Sequence, residues 1–235
     1  MNLLLLRSTD VVADHSVTLD DYRAEHIISV LKMGNGDRIT LGQINGLMGF
    51  GYIHNINKPQ VTIARIQLDQ IPPPQIDVEL ILALPRPRML QRSLQTIATM
   101  GVKTLHLIHT ERVEKSFWQT PLLKPAAIDE QFFLGLEQAR ATQMPAINIH
   151  AKWRDFAQSV LPGFVQAQKI IAHPGNYPEA TKLSPQPAVL AIGPEGGFSP
   201  KEVEVFIDAN FSPVQLGGRI LRVETAVPVL LAKLF

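Results

Sequence analysis

The five residues Ala188-Val189-Leu190-Ala191-Ile192 form a continuous apolar run that ends abruptly in Gly193-Pro194-Glu195-Gly196-Gly197. Hydrophobicity without alternation predicts a strand covered on both faces, and the glycines and proline predict a sharp loop at its end. A helix is expected at once, because Ser199-Pro200-Lys201-Glu202 supplies an N-cap serine, a proline at the first helical position and a glutamate at the third. Phe198 is spaced to staple to Val203, and Val203, Phe206 and Ile207 fall on one face of a helix predicted over Lys201–Ala209. Glycine-rich turns between strand and helix often cradle phosphate. Here Ser199 and Glu202 already use two of the donors a phosphate would need, and the spacing fits neither glycine fingerprint of nucleotide loops. The glycines are read instead as letting the backbone approach a flat ligand closely.

The same pattern of apolar run and helical period extends back along the chain. Strands are predicted at Val78–Leu84, Thr104–Ile108, Ile147–Ile149, Lys169–Ala172 and Val214–Leu216, and helices near Met89–Met100, Ala126–Thr142, Trp153–Val160 and Ala226–Leu234. Alternation of this kind means an α/β domain with a mostly parallel sheet. The last helix is apolar nearly all round, so it must be buried on more than one side, and Pro228 is placed in its first turn.

Ahead of these elements the pattern differs. Strands are predicted at Asn2–Leu6, Arg38–Ile44, Leu47–Ile53 and Val61–Leu68, with Asn45-Gly46 as a hairpin turn. A helix over Leu19–Met33 would turn Tyr22, His26 or Ile27, Val30 and Leu31 inward. Gly42, Gly49 and Gly51 inside strands suggest the bulges that a small barrel needs. Pro72-Pro73-Pro74 is a stiff break, which sets the domain boundary between 1–71 and 72–235.

Composition narrows the chemistry. The 235 residues contain no cysteine, which excludes disulfides, thiolate metal sites and a cysteine nucleophile. No run approaches the length of a membrane span, so a cytoplasmic protein is expected. The net charge of +1 is weak for a general nucleic-acid binder, so any nucleic acid would be met by a local patch or by shape. His106 and His109, three apart on one predicted strand, would face opposite ways, so no metal site is expected.

Gly193-Pro194-Glu195-Gly196-Gly197-Phe198-Ser199, followed by Leu216-Gly217-x-Arg219-Ile220-Leu221-Arg222-x-Glu224-Thr225-Ala226, resembles the paired C-terminal motifs of the bacterial small-subunit ribosomal RNA methyltransferase E family. These are SPOUT-class, S-adenosylmethionine-dependent enzymes. His26-x-x-x-Val30-Leu31-Lys32-x-x-x-Gly36-Asp37 resembles the family's N-terminal PUA-like RNA-binding domain, and Thr110-Glu111-Arg112 and Glu137-Gln138 with Pro145 match further segments. Around Pro85–Met100 the likeness is weaker, and Thr99 stands where family members carry glutamate. The resemblance implies a trefoil-knotted SPOUT domain behind a PUA-like β-barrel, a homodimer, and methylation of N3 of a uridine in small-subunit ribosomal RNA. Ribose 2′-hydroxyl methylation by the same fold, or an RNA-binding relative without turnover, are the alternatives.

The cofactor loops expected on this basis are Ala172-His173-Pro174, the stretch Ile192, Gly193, Pro194, Glu195, Gly196 and Gly197, and the stretch Leu216, Gly217, Ile220, Leu221, Arg222, Thr225 and Ala226. Glu195 would favour a sulfonium by charge. Loss of the uracil imide proton leaves negative charge on the flanking carbonyls, which a guanidinium stabilises. Arg222 is the first candidate, expected in a site poor in water, and Arg112 is a second cation for phosphate or a partner subunit. RNA contacts are expected from Arg7, His26, Lys32, Arg86 and Arg88.

Overall fold

The computed structural model describes residues 2–10 and 12–235. The chain divides into two compact units, one of Met1–Pro74 with Leu136–Met144, the other of Gln75–Gly135 with Pro145–Phe235.

In the first unit, β1 (Leu4–Leu6), β2 (Val17–Leu19), β3 (Arg38–Gln43), β4 (Met48–Asn57) and β5 (Gln60–Gln70) form a five-stranded sheet in the order β1-β3-β4-β5-β2. β3, β4 and β5 are antiparallel neighbours, and β1 joins β3 in parallel. The alternating side chains Leu4, Leu6, Ile39, Leu41, Ile53, Val61 and Ile63 meet in one core. Asn45 turns the β3–β4 hairpin with φ +57°, as its sequence predicted. Bulges interrupt β4, and Gly49 there is obligatory, since a Cβ would lie 1.8 Å from the Gln67 carbonyl oxygen. Leu136–Met144 joins this unit through backbone bonds from Asn2 and Leu3 to the Glu137 carbonyl, and from Asn45 to that of Thr142.

The helix predicted over Leu19–Met33 is shorter and turned differently. α1 (Tyr22–Glu25) runs into a wider π turn over His26–Val30, and Arg23, Ala24 and Ile27 point inward while Tyr22, Val30 and Leu31 are exposed. Arg23 is only 3% exposed because its fork is fully engaged by the Asp10 and Asp21 carboxylates at 2.7–3.0 Å and by the Leu5 carbonyl at 2.6 Å. A guanidinium so completely bonded is tolerated inside, which displaces the apolar stripe by one position.

In the second unit, β6 (Ile76–Ala83), β7 (Val102–Ile108), β8 (Ala146–His150), β9 (Gln168–Ala172), β10 (Ala188–Ile192) and β11 (Ser212–Val214) form a six-stranded sheet in the order β11-β9-β10-β6-β7-β8, with every neighbouring pair parallel. All five residues of β10 are buried near the middle of the sheet. The helices are α2 (Pro87–Thr99), α3 (Pro125–Ala139), α4 (Trp153–Asp155, widening into a π turn to Val160), α5 (Pro200–Asp208) and α6 (Val223–Leu234).

Four expectations need correction. α6 begins at Val223, where Arg222 as N-cap offers its carbonyl to the Thr225 and Ala226 amides, so Pro228 falls in the second turn and leaves the Glu224 carbonyl without its usual donor. Ile207 is 43% exposed, because the face of α5 that packs is Glu202, Val203 and Phe206. β11 ends at Val214, so Leu216 belongs to the following loop. His109 lies beyond β7 and accepts from Trp118 Nε1 at 2.6 Å, while His106 bonds Glu79 at 2.8 Å and His150 at 3.2 Å. Thr99, the departure from the family pattern, donates its hydroxyl to the Gly135 carbonyl at 3.1 Å, which makes it a contact between α2 and α3.

Candidate functional site

Ligands of parallel sheets gather beyond the carboxyl ends of the strands. Here the loops after β9, β10 and β11 converge there with the start of α6 on a cavity of about 260 Å³. Ala172, His173 and Pro174 come from the first loop; Ile192, Gly193, Pro194, Glu195 and Gly197 from the second; Leu216, Gly217, Ile220 and Leu221 from the third; Ala226 from the helix. Those predicted residues line one space. Gly196, Arg222 and Thr225 do not line it, and Gly175, Gln215, Arg219, Val223 and Leu230, which sequence reasoning passed over, do.

The shape of the β10 loop follows from its glycines. A Cβ on Gly193 would sit 2.9 Å from the Phe198 amide nitrogen, and Gly197 adopts φ +70°, which side chains rarely tolerate. The loop then enters α5 through a complete capping box. Ser199 Oγ accepts from the Glu202 amide at 3.4 Å, and Glu202 Oε2 accepts from the Ser199 amide at 2.8 Å.

Three further contacts hold the loop from outside. Arg112 Nη1 donates to the Gly196 carbonyl at 2.5 Å. Glu195 Oε1 accepts from the Arg86 amide at 3.1 Å, so the exposed carboxylate is tied to the N-cap of α2. Glu202 Oε1 accepts from the Glu111 amide at 2.7 Å. Glu202 was legible in the sequence only as a helix cap.

His173 closes the polar side of the cavity. A Cβ added at Gly197 would lie 3.6 Å from its Cε1, and its Nδ1 is buried with no partner among the described residues. Burial and the nearby Arg112 charge hold the imidazole below its usual range, so it is neutral at pH 7. Glu224 Oε2, in the first turn of α6, is likewise buried without a partner among the described residues.

Arg222 is exposed at the N-cap of α6, which contradicts the expectation of a site poor in water there. A guanidinium has only donors and cannot accept from the free N–H groups at a helix start, so the N-cap position does not draw it back to the helix. Arg86 and Arg88 are exposed at the start of α2. In the first unit, Arg7 is half-buried with its guanidinium 5.4 Å from the Tyr22 ring centroid, His26 is partly buried and held below its usual pKa by burial, and Lys32 is exposed with φ +51°. Among the described residues, no group of His, Cys, Asp or Glu is placed to hold a metal ion, and no helix is long and apolar enough to cross a membrane.

The chain matches the family described as an RNA methyltransferase domain over residues 72–234. It is 29% identical over 232 residues to the ribosomal RNA small subunit methyltransferase E of Treponema pallidum, covering 96% of this chain and 87% of that protein. A Legionella pneumophila protein solved with bound cofactor SAM superposes with TM-score 0.80 at 22% identity, covering 98% of this chain and 95% of that one. The ribosomal RNA small subunit methyltransferase E of Neisseria gonorrhoeae, solved with S-adenosyl methionine, gives 0.77 at 23% identity over 99% of this chain and 95% of that one. These likenesses carry the fold, a SPOUT-type α/β domain that follows a PUA-like half-barrel in the chain. Through residues 72–234, which hold the whole cavity and its clamped glycine loop, the chain belongs to the RNA methyltransferase domain family.

Proposed function

We propose that this protein methylates ribosomal RNA of the small subunit with S-adenosylmethionine as donor, on N3 of a uridine, as a cytoplasmic homodimer. The observation that carries this reading is the cavity itself, built by backbone loops at the carboxyl ends of parallel strands in a chain of this family. The residues present suit an adenosyl sulfonium. Leu216, Leu221, Ala226 and Leu230 offer apolar surface, the loops offer backbone donors and acceptors, and the buried Nδ1 of His173 lacks, among the described residues, a partner that a bound ligand would supply. Glu195, a carboxylate among the lining residues, favours a sulfonium by its charge.

The cofactor supplies a methyl group already activated by a positive sulfur. What remains for the protein is alignment and charge. The apolar wall excludes water and the clamped β10 loop fixes the ligand's orientation. An acceptor N3–H must lose its proton, and the resulting anion is spread over the uracil carbonyl oxygens. Arg112, fastened to Gly196 and carrying an exposed guanidinium, is the cation best held for that charge, with Arg222 as a second. Arg7, His26 and Lys32 of the first unit, with Arg86 and Arg88 at α2, are proposed to grip the RNA. Residues 1–71 would act as the RNA-binding domain and 72–235 as the catalytic one.

Mass spectrometry of nucleosides from small-subunit RNA, in cells with and without the protein, tests the reading. Loss of one N3-methyluridine on deletion, restored by the gene, is the expected result. Loss of a ribose-methylated nucleoside would move the acceptor to the 2′-hydroxyl, and an unchanged profile would remove the activity. Sedimentation of the purified protein tests the dimer.

A further inference from the structure

Glu202 is 4% exposed, and both its carboxylate oxygens are committed. Oε2 takes the Ser199 amide at 2.8 Å, which completes the cap of α5, and Oε1 takes the Glu111 amide at 2.7 Å, ninety-one positions away in sequence. A helix cap needs only the first of these bonds. The second reaches into a tight turn, closed by the Val113 amide on the Thr110 carbonyl at 3.0 Å, in which Arg112 is the residue after Glu111. That arginine returns to the glycine loop, donating to Gly196 at 2.5 Å, and Gly197 beside it lines the cavity. The bonds therefore form a closed circuit from the α5 cap to the Arg112 turn, to the glycine loop and back to the cap.

We propose that Glu202 is a positioning residue for methyl transfer: its carboxylate locks the Thr110–Val113 turn so that the Arg112 guanidinium is held on the glycine loop beside the cavity. A carboxylate is suited to this because both of its oxygens accept. Two backbone N–H donors approach its two oxygens, and an amide in its place would offer one acceptor and turn an N–H₂ toward the other donor. The charge also strengthens both bonds and lies at the positive end of α5. The inference rests on the methyltransferase reading for its catalytic meaning, and on the circuit of bonds alone for its structural one.

The test uses the full chain and four variants. Glu202→Gln should speed amide hydrogen exchange in the peptide carrying Glu111 and Arg112, with no ligand present, and lower single-turnover methyl transfer to small subunits by about 10–100-fold, the scale for loss of alignment. Ser199→Ala removes the hydroxyl cap but leaves both carboxylate bonds, so it should lower the melting temperature while leaving that exchange and the transfer rate near those of the wild type. In an Arg112→Ala background, Glu202→Gln should add little further loss, because residues acting as one unit are not additive. Should Glu202→Gln not fold, Glu202→Asp takes its place; one methylene shorter, it cannot span both donors and should give the same pattern. Unchanged exchange at Glu111, full additivity with Arg112→Ala, or a rate loss in Ser199→Ala equal to that in Glu202→Gln would each overturn the proposal and reduce Glu202 to a cap. A wild-type protein that transfers no methyl group would overturn the functional reading instead, and the exchange measurement would still decide the positioning.

Discussion

Arg112 donates through Nη1 to the carbonyl oxygen of Gly196 at 2.5 Å, although the two are separated by 84 positions in sequence. The contact uses one donor of a planar fork that has five, and the side chain stays exposed, so the remaining donors can meet an anion. Arg112→Ala is expected to lower kcat by about 10²–10³, the range for removing one preorganised electrostatic partner. Arg112→Lys should recover part of this, since a point charge cannot hold the carbonyl and an anion with the same geometry. Single-turnover kinetics on isolated small subunits make the comparison, and full turnover in the alanine variant would leave Arg112 a structural clamp.

Gly193 gives the sharper test of the loop. A Cβ there would lie 2.9 Å from the Phe198 amide nitrogen, a backbone atom that cannot swing away, whereas at Gly196 the nearest obstacle is Arg112 Cδ at 3.3 Å. Gly193→Ala should therefore reshape the cavity wall and cost about 1–3 kcal/mol of stability, as overpacking does. Calorimetric titration with S-adenosylmethionine should show weakened binding, and more so than with Gly196→Ala, which displaces only a flexible side chain. Equal binding in both variants would detach the loop from the ligand.

The depressed pKa of His173 has a definite sign in stability. Folding lowers the imidazole below the 6.5 of the free side chain, because burial and the Arg112 charge disfavour the cation. Between that lowered value and about 6.5 the unfolded chain binds more protons than the native one, so stability rises with pH through this window and is lost on acidification. His173→Gln removes the titrating group. Its melting temperature should fall less steeply than that of the wild type below pH ~6.5, with the remaining slope carried in part by His26 and His150, which are shifted in the same direction. Parallel curves would show that His173 titrates the same folded and unfolded.

The Arg23 cluster predicts the behaviour of the first unit. Asp10 and Asp21 surround a guanidinium that is 3% exposed, so Arg23→Ala leaves two partly buried carboxylates without their partner. Breaking a buried pair from one side costs about 3–5 kcal/mol. Thermal unfolding of the full chain should show the first unit melting early. Arg23→Met, which refills part of the volume, should not rescue it unless Asp10 and Asp21 are also neutralised.

Arg23 also marks where the sequence stopped being readable. β10, the glycine loop and the α5 cap are local: their partners lie within a few residues, and apolar run, glycine and capping box carry the signal. Arg23 looks like a solvated helix residue until Asp10 and the Leu5 carbonyl are brought beside it, and Glu202 looks like a cap until Glu111 arrives. The loops that line the cavity were expected from the resemblance, while glycine and proline marked only where the chain turns. Val223 and Leu230 escaped because an apolar helix facing a cavity reads the same as one facing a core. Leu136–Met144 joins the first unit through backbone bonds at Glu137 and Thr142 and through the side chains of Glu137 and Thr142, which meet Tyr22 and the Gly46 carbonyl more than ninety positions away, so no local pattern announces it.

Arg222 separates two accounts of the charge. In a dry pocket between the third loop and α6 its loss would match that of Arg112, but the side chain is exposed and does not line the cavity. Water screens a charge so placed, and an exposed cation acts on a bound anion far less than one held against the loop. Arg222→Ala is therefore expected to cost less than about tenfold in kcat, well below the range for a preorganised partner, and to leave cofactor titration unchanged. Its effect should grow as salt is lowered, since screening lengths extend from about 8 Å at physiological ionic strength to about 30 Å at 0.01 M. Single-turnover rates of Arg222→Ala and Arg112→Ala, measured side by side at two salt concentrations, decide the matter. A loss at Arg222 equal to that at Arg112 and indifferent to salt would mean that the bound RNA or a second subunit closes over Arg222 and removes the water around it.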